Sequence, residues 1–147
     1  MLTVDELKRK CYNTFMKSHE TRLMVRYSET DQMGRVYYSR YLEWFELGRA
    51  SHLKAAGFPY SDMEKLGLYL VVADTYIKYQ KPAKYEDEII VRTHIKEVSK
   101  ASTVFEYEVL NEKSKELLAT GNSKLVAVSK GGKISAIPDN IRMLLEK

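Results

Sequence analysis

From Tyr69 to Val128 the chain offers four extended, alternating segments, and nowhere between them is there space for a long helix. These are Tyr69 to Tyr79, Asp87 to Glu97, Thr103 to Leu110 and Leu117 to Val128. Parallel strands need a crossover of roughly a dozen residues or more, so the short links Val98 to Ser102 and Asn111 to Glu116 call for hairpins in an antiparallel sheet. Phe105, Tyr107 and Val109 alternate with Glu106 and Glu108, which predicts one buried and one wet face. Gly121, inside the last segment, predicts a bulge.

Before this strand-rich part lies one strong helical pattern. Tyr38, Tyr41, Leu42, Phe45, His52, Leu53 and Ala56 fall on one face of a helix over 39–56, Trp44 and Leu47 add a second apolar face, and Gly57 and Pro59 stop it. Ser39 is the expected N-cap. Gly48, Ala50, Ser51, Ala55 and Ala56 are small, which suits a helix closely enclosed by other elements. Thr21 to Ser28 alternates like a strand and leads into the polar turn Glu29 to Gly34, while Tyr60 to Gly67 is a short connection with some helical character. Val4, Leu7, Cys11 and Phe15 predict an amphipathic helix over 3–17. The expectation is an α+β chain with an N-terminal helical extension over 1–19 and a single domain over 20–147. That domain combines an antiparallel sheet of about five strands with one long central helix.

Composition narrows the function classes. A net charge of +4 favours a modest anionic partner, without the clustered basic runs of a nucleic-acid arm or an aromatic–basic stacking module. The single cysteine excludes an intrachain disulfide and a thiolate zinc site and suits a reducing, cytoplasmic setting. No secretory h-region and no 18-residue apolar run is present, so no integral membrane segment is expected. Phosphate loops, G-x-S-x-G elbows and H-E-x-x-H are missing, and His19, His52 and His94 lack metal-ligand spacing: one reads as helical core, the others as strand or surface residues. No metal site is expected.

The segment Tyr27 to Glu46, Y-S-E-T-D-Q-M-G-R-V-Y-Y-S-R-Y-L-E-W-F-E, places the Asp31 carboxylate in a loop just before the N-terminus of the apolar helix. Free N–H groups at a helix N-terminus can hold a developing oxyanion while a nearby carboxylate activates water or attacks a carbonyl. Spacing alone leaves Asp31 open between that role and a turn or capping residue, and Tyr38 open between a site residue and a core aromatic.

The same run closely resembles the signature of hot-dog-fold acyl-CoA thioesterases of the 4-hydroxybenzoyl-CoA thioesterase family, whose members include small enzymes of bacterial Tol-Pal clusters. Tyr76 to Asp87, Y-I-K-Y-Q-K-P-A-K-Y-E-D, resembles that family's second recurrent block, and the similarity spans about Thr21 to Ile137. The resemblance implies a hot-dog fold in which the sheet wraps the central helix. It implies Asp31 as nucleophile or general base, with the backbone N–H at Tyr38 polarising the thioester carbonyl. Tyr38 stands where the Tol-Pal branch has histidine and the 4-hydroxybenzoyl-CoA enzyme has tyrosine. The substrate contacts it implies are Gly34, which gives the loop its turn, together with Val36, Tyr37 and Tyr41, and Lys100 and Ser102 in a hairpin loop that meets the nucleotide. Arg92, Lys96, Lys124 and the Lys130 to Lys133 turn are weaker candidates for that contact. No separate cofactor is implied, since coenzyme A is part of the substrate. The expected reaction is hydrolysis of acyl-CoA to free acid and coenzyme A by a homodimer or homotetramer. An acyl carrier protein thioester as substrate and a non-catalytic acyl-thioester binder are the alternatives.

Overall fold

The computed structural model describes residues 18–145. The helix expected over 3–17 lies outside the described residues. Five strands form one sheet: β1 (His19–Met24), β2 (Tyr69–Tyr79), β3 (Glu88–Val98), β4 (Ser102–Asn111) and β5 (Leu117–Val128). Their order across the sheet is β1-β3-β4-β5-β2, with every neighbouring pair antiparallel. Three α-helices accompany them among the described residues: α1 (Arg40–Ala55), α2 (Tyr60–Lys65) and α3 (Asp139–Leu145). Among the described residues no helix is long and apolar enough to cross a membrane.

The four later strands lie within a residue or so of their expected ranges, because a half-buried strand carries its period of two in the sequence. On β4, Thr103, Phe105, Tyr107 and Val109 are buried while their neighbours Val104, Glu106 and Glu108 are only partly so. β1 is shorter than expected: Val25 passes its N–H to the Asp87 carbonyl at 2.9 Å, and Tyr27–Glu29 turn into a 3₁₀ helix. α3 has no counterpart in the sequence reading. It is seven residues long and carries too few apolar positions to reveal a period, yet its Ile141 and Leu145 are buried in the core.

α1 packs on one face of the sheet, against β1, β3 and β4. Two glycines permit the close approach. A Cβ on Gly48 would lie 2.4 Å from Thr93 Oγ1, and a Cβ on Gly121 would lie 2.5 Å from the Tyr76 carbonyl oxygen and 2.6 Å from the Phe45 ring. Gly121 is therefore not at a bulge, as the sequence suggested: it pairs in register with Tyr107 and Ile77, and the irregularity between β4 and β5 falls at Val109/Leu110. Its missing side chain makes room for Phe45, which stacks on Tyr107 at 4.1 Å with the rings 9° apart. Ser39 does not cap the helix; its backbone is already helical and its side chain makes no cap hydrogen bond. Tyr38 and Leu42, expected on the buried face, are 62% and 40% exposed, whereas Tyr41, Trp44, Phe45 and Leu53 are buried.

His52 is the core histidine. Its Nδ1 lies 3.2 Å from the Thr93 carbonyl oxygen. Burial first, and then the neighbouring His19, push its pKa down from 6.5 to about 4, so the ring is neutral in the folded protein at neutral pH. The unfolded chain binds a proton below pH 6.5 that the folded chain refuses until about pH 4, so stability is complete above this window and declines as the pH falls through it. We expect urea unfolding at pH 4.5 to show a loss of about 2.5 kcal/mol from this one group relative to pH 7. His52→Gln, which cannot titrate, should lack that component; an equal slope in both proteins would show that His52 is not its source.

Candidate active site

The loop between β1 and α1 is organised by two carboxylates with different surroundings. Glu29 is 4% exposed. Its Oε1 accepts from Trp44 Nε1 at 3.0 Å and its Oε2 from the Arg26 N–H at 2.8 Å, while its carbonyl accepts from the Tyr37 N–H at 2.8 Å. One residue thus ties together the start of the loop, its end and the helix. Sequence reading did not single out Glu29; its charge looked like part of a polar turn, and only the Trp44 contact, 15 residues on, shows its use.

Asp31 opens a tight hairpin. Its N–H donates to the Arg35 carbonyl at 2.7 Å, Gly34 returns its N–H to the Asp31 carbonyl at 3.0 Å, and Gly34 adopts φ +74°, the left-handed conformation that such a three-residue loop places on glycine. Oδ1 of Asp31 accepts from the N–H groups of Met33 at 2.8 Å and Arg35 at 3.2 Å. Oδ2 accepts none among the described residues. The turn therefore occupies one of the two oxygens and leaves the other uncommitted.

The hairpin is pinned to the segment after β2 by the Val36 N–H, which donates to the Ala83 carbonyl at 2.9 Å, and by the bridge between Arg35 and Lys84. This brings Asp31 beside the first turn of α1. The Tyr38 N–H donates to no acceptor among the described residues, and its carbonyl accepts from the Tyr79 hydroxyl at 2.6 Å. Burial pushes the hydroxyl pKa values of Tyr41 and Tyr79 above the ordinary tyrosine value, so both remain protonated at neutral pH. Tyr79, with Gln80, Lys81 and Pro82, completes the walls.

Asp31, Val36, Tyr37, Tyr38 and Tyr41 all line the resulting recess of about 390 Å³, a volume within the range of small-molecule sites. Gly34 sets the turn at its lip. Lys100 and Ser102 are not part of it. The hairpin adjoins the start of β3 and Lys100 follows its end, which separates them within one chain by roughly 33 Å at about 3.3 Å per residue. The cations that do border the recess are Arg35, which makes no ion pair among the described residues, and Lys81, which pairs with Glu116 at 2.6 Å. Sequence reading missed both, although Arg35 directly follows the signature glycine.

A protein-family profile described as the thioesterase-like superfamily matches residues 25–145. The chain is 43% identical over 106 residues to a Bacillus subtilis protein provisionally named acyl-CoA thioesterase YneP, covering 72% of this chain and 76% of that one. It is 32% identical over 108 residues to the acyl-CoA thioesterase YbgC of Haemophilus influenzae, covering 73% and 78% of the two chains. The crystal structure of a DHNA-CoA thioesterase from Staphylococcus aureus superposes with a TM-score of 0.77 at 35% identity, covering 81% of this chain and 80% of that one. The chain belongs to the thioesterase-like superfamily, with the hot-dog fold of its structural neighbours.

Removing the carboxylate that holds the loop should have a distinct signature. We expect Glu29→Ala to leave the Trp44 indole N–H and the Arg26 amide unsatisfied and to cost about 2 to 4 kcal/mol in chemical denaturation. A loss below about 0.5 kcal/mol, the range of an ordinary surface change, would remove Glu29 from this role.

Proposed function

We propose that the protein hydrolyses acyl-CoA thioesters to the free acid and coenzyme A at the recess between Asp31 and the first turn of α1. The observation that carries this reading is the pairing of an uncommitted Asp31 Oδ2 with an unpartnered Tyr38 N–H on one recess, in a chain whose relatives are named acyl-CoA thioesterases. The thioester carbonyl oxygen sits at the Tyr38 N–H, where the positive end of the α1 dipole adds to the hydrogen bond. Asp31 takes a proton from water as it adds to the carbonyl carbon, or attacks that carbon itself to form an anhydride that water then opens. On either route the C–S bond breaks, the electron pair leaves with sulfur, and a proton is returned to the coenzyme A thiolate. Tyr37, Tyr38 and Tyr41 wall the acyl group, and no metal or redox group takes part.

Arg35 and Lys81 are the cations nearest this site and suit the phosphates of coenzyme A. Lys100 and Ser102 meet the nucleotide only if they come from a second copy. Such a copy fits the outer edge of β2, an 11-residue edge strand exposing Val71, Val72, Tyr76 and Tyr79, the kind of surface that proteins cover by association. We therefore read the protein as a homo-oligomer, with residues 20–147 as its catalytic unit. The single cysteine supports a cytoplasmic setting.

Free-thiol release from a panel of acyl-CoAs tests the activity directly. Asp31→Asn keeps an Oδ1 acceptor for the Met33 and Arg35 N–H groups and should stay folded, yet lose at least about 10²-fold in turnover. Retained activity would defeat the assignment. Tyr38→Phe keeps the N–H and should keep most of the activity, whereas Tyr38→Pro removes the donor and should fall about 10² to 10³ below it. Equal damage in both, with both folded by circular dichroism, would move the oxyanion role from the amide to the hydroxyl.

A further inference from the structure

α1 carries an unbalanced charge on the face that borders β2. Arg49 is only 7% exposed. Its Nη1 donates to the Tyr107 hydroxyl at 3.0 Å and the Ser123 hydroxyl at 3.4 Å, and its Nε to the Tyr60 hydroxyl at 3.4 Å. All three partners are neutral, and Nη2 donates to nothing among the described residues. A guanidinium cannot shed its proton, and a buried charge is costly unless an opposite charge meets it. Arg49 nevertheless borders an open recess of about 210 Å³ whose other walls include Leu42, Glu46, Val72 and Thr75.

Glu46 is the complementary anomaly. It is exposed and makes no ion pair among the described residues, whereas Glu43, on the same rim, is held by Arg40 at 2.8 Å. Glu46 lies one turn before Arg49, but the hydroxyl cluster draws the guanidinium inward, and the two are not within ion-pair distance in one chain. A twofold interface sets one patch against itself and must therefore contain both members of every pair it makes. Leu42, Glu46 and Arg49, at four- and three-residue steps along one helix face, meet that condition, and they lie beside the open edge of β2.

We propose that a second copy of this chain covers this recess and that Arg49 donates through Nη2 to Glu46 of the partner subunit, with the reciprocal pair completing the twofold. The pairing gives the buried guanidinium its counter-ion and gives each interface two identical charge contacts. It rests on the homo-oligomer of the preceding subsection and not on the chemistry at Asp31. Because Tyr38 lies two residues before the same helix, the contact also fixes the element beside the proposed oxyanion donor.

Sedimentation velocity on the full chain over a concentration series tests it. Glu46→Lys, at an exposed position, sets a cation against the partner's Arg49 and should raise the dimer dissociation constant by at least about tenfold with an unchanged circular dichroism spectrum. Glu64→Lys makes the same charge change on α2 and should leave the constant as in wild type. Glu46→Gln and Arg49→Gln should each weaken the dimer, and the double variant should be no weaker than the weaker single one, since both remove the same pair. If Arg49→Gln fails to fold, the comparison of Glu46→Lys with Glu64→Lys stands by itself. A monomeric wild type, equal constants for these two charge-reversal variants, or additive losses in the double variant would overturn the pairing. Thiol release measured on the same samples separates the two readings. A dimer that obeys these rules without hydrolysing acyl-CoA defeats only the catalytic reading. An active enzyme whose dimer ignores Glu46→Lys defeats only the pairing.

Discussion

The rest of the structure depends on how closely α1 lies against the sheet. A helix normally stands off a sheet by the depth of its side chains, yet here Gly48 sits against Thr93 and Gly121 leaves room for the Phe45 ring, and any Cβ at either glycine would come within 2.6 Å of an atom already there. Phe45 then stacks flat on Tyr107, with no exposed surface on its own ring. Burying a phenylalanine of this kind contributes about 1.5 to 3 kcal/mol, and the stack adds about 0.5 to 1.5 kcal/mol. The approach also fixes where the helix starts. With Phe45 locked over β4 and β5, the first turn of α1 emerges beside the end of β2, where the Tyr79 hydroxyl holds the Tyr38 carbonyl.

Glu29 and Asp31 show how two carboxylates two residues apart are given different work by their surroundings. Glu29 is enclosed and spends both oxygens on the indole of Trp44 and the amide of Arg26, so it behaves as a structural strut. Asp31 is exposed and spends only one oxygen, on the hairpin it opens. The strut sets the position of the hairpin, and the hairpin sets the position of the free oxygen. A loop needs such internal support if a reacting group is to be held to within a fraction of an ångström.

How much of this was legible in the sequence follows the range of the interactions concerned. β2 to β5 are half-buried strands with a local period of two, and α1 has one apolar face, so each could be read from its own residues. The placing of β1 beside β3 and of β2 beside β5, and the role of Gly121 against Phe45, depend on contacts across 40 residues or more, which no local pattern records; Gly121 therefore looked like a bulge when it is a socket for Phe45. The same division holds in the recess. Asp31, Val36, Tyr37, Tyr38 and Tyr41 are contiguous enough to form one motif, and they meet. Tyr79, Gln80, Lys81 and Pro82 come from the end of β2 and the residues after it; they lie in the second block of the resemblance, Tyr76 to Asp87, but no local pattern assigns any of them to the recess. Lys100, chosen by resemblance, lies at the opposite end of β3.

The two recesses occupy one seam, between α1 and β2. At one end Tyr38 and Tyr41 face Tyr79; further along, Leu42 and Arg49 face Val72 and Thr75. In a single chain this seam exposes Leu42, Val72 and Tyr79, with a buried guanidinium in its floor. These side chains lose the benefit of burial, and the guanidinium lacks a counter-ion. One body laid along the seam answers both needs, and it would wall the Asp31 recess at the same time. On this reading the acyl pocket has no complete form in the monomer. The shape that would select an acyl group is then set where two copies meet, while the proposed reacting groups, Asp31 and the Tyr38 N–H, are brought to one recess within a single chain by the Glu29 strut and the Tyr79 hydroxyl.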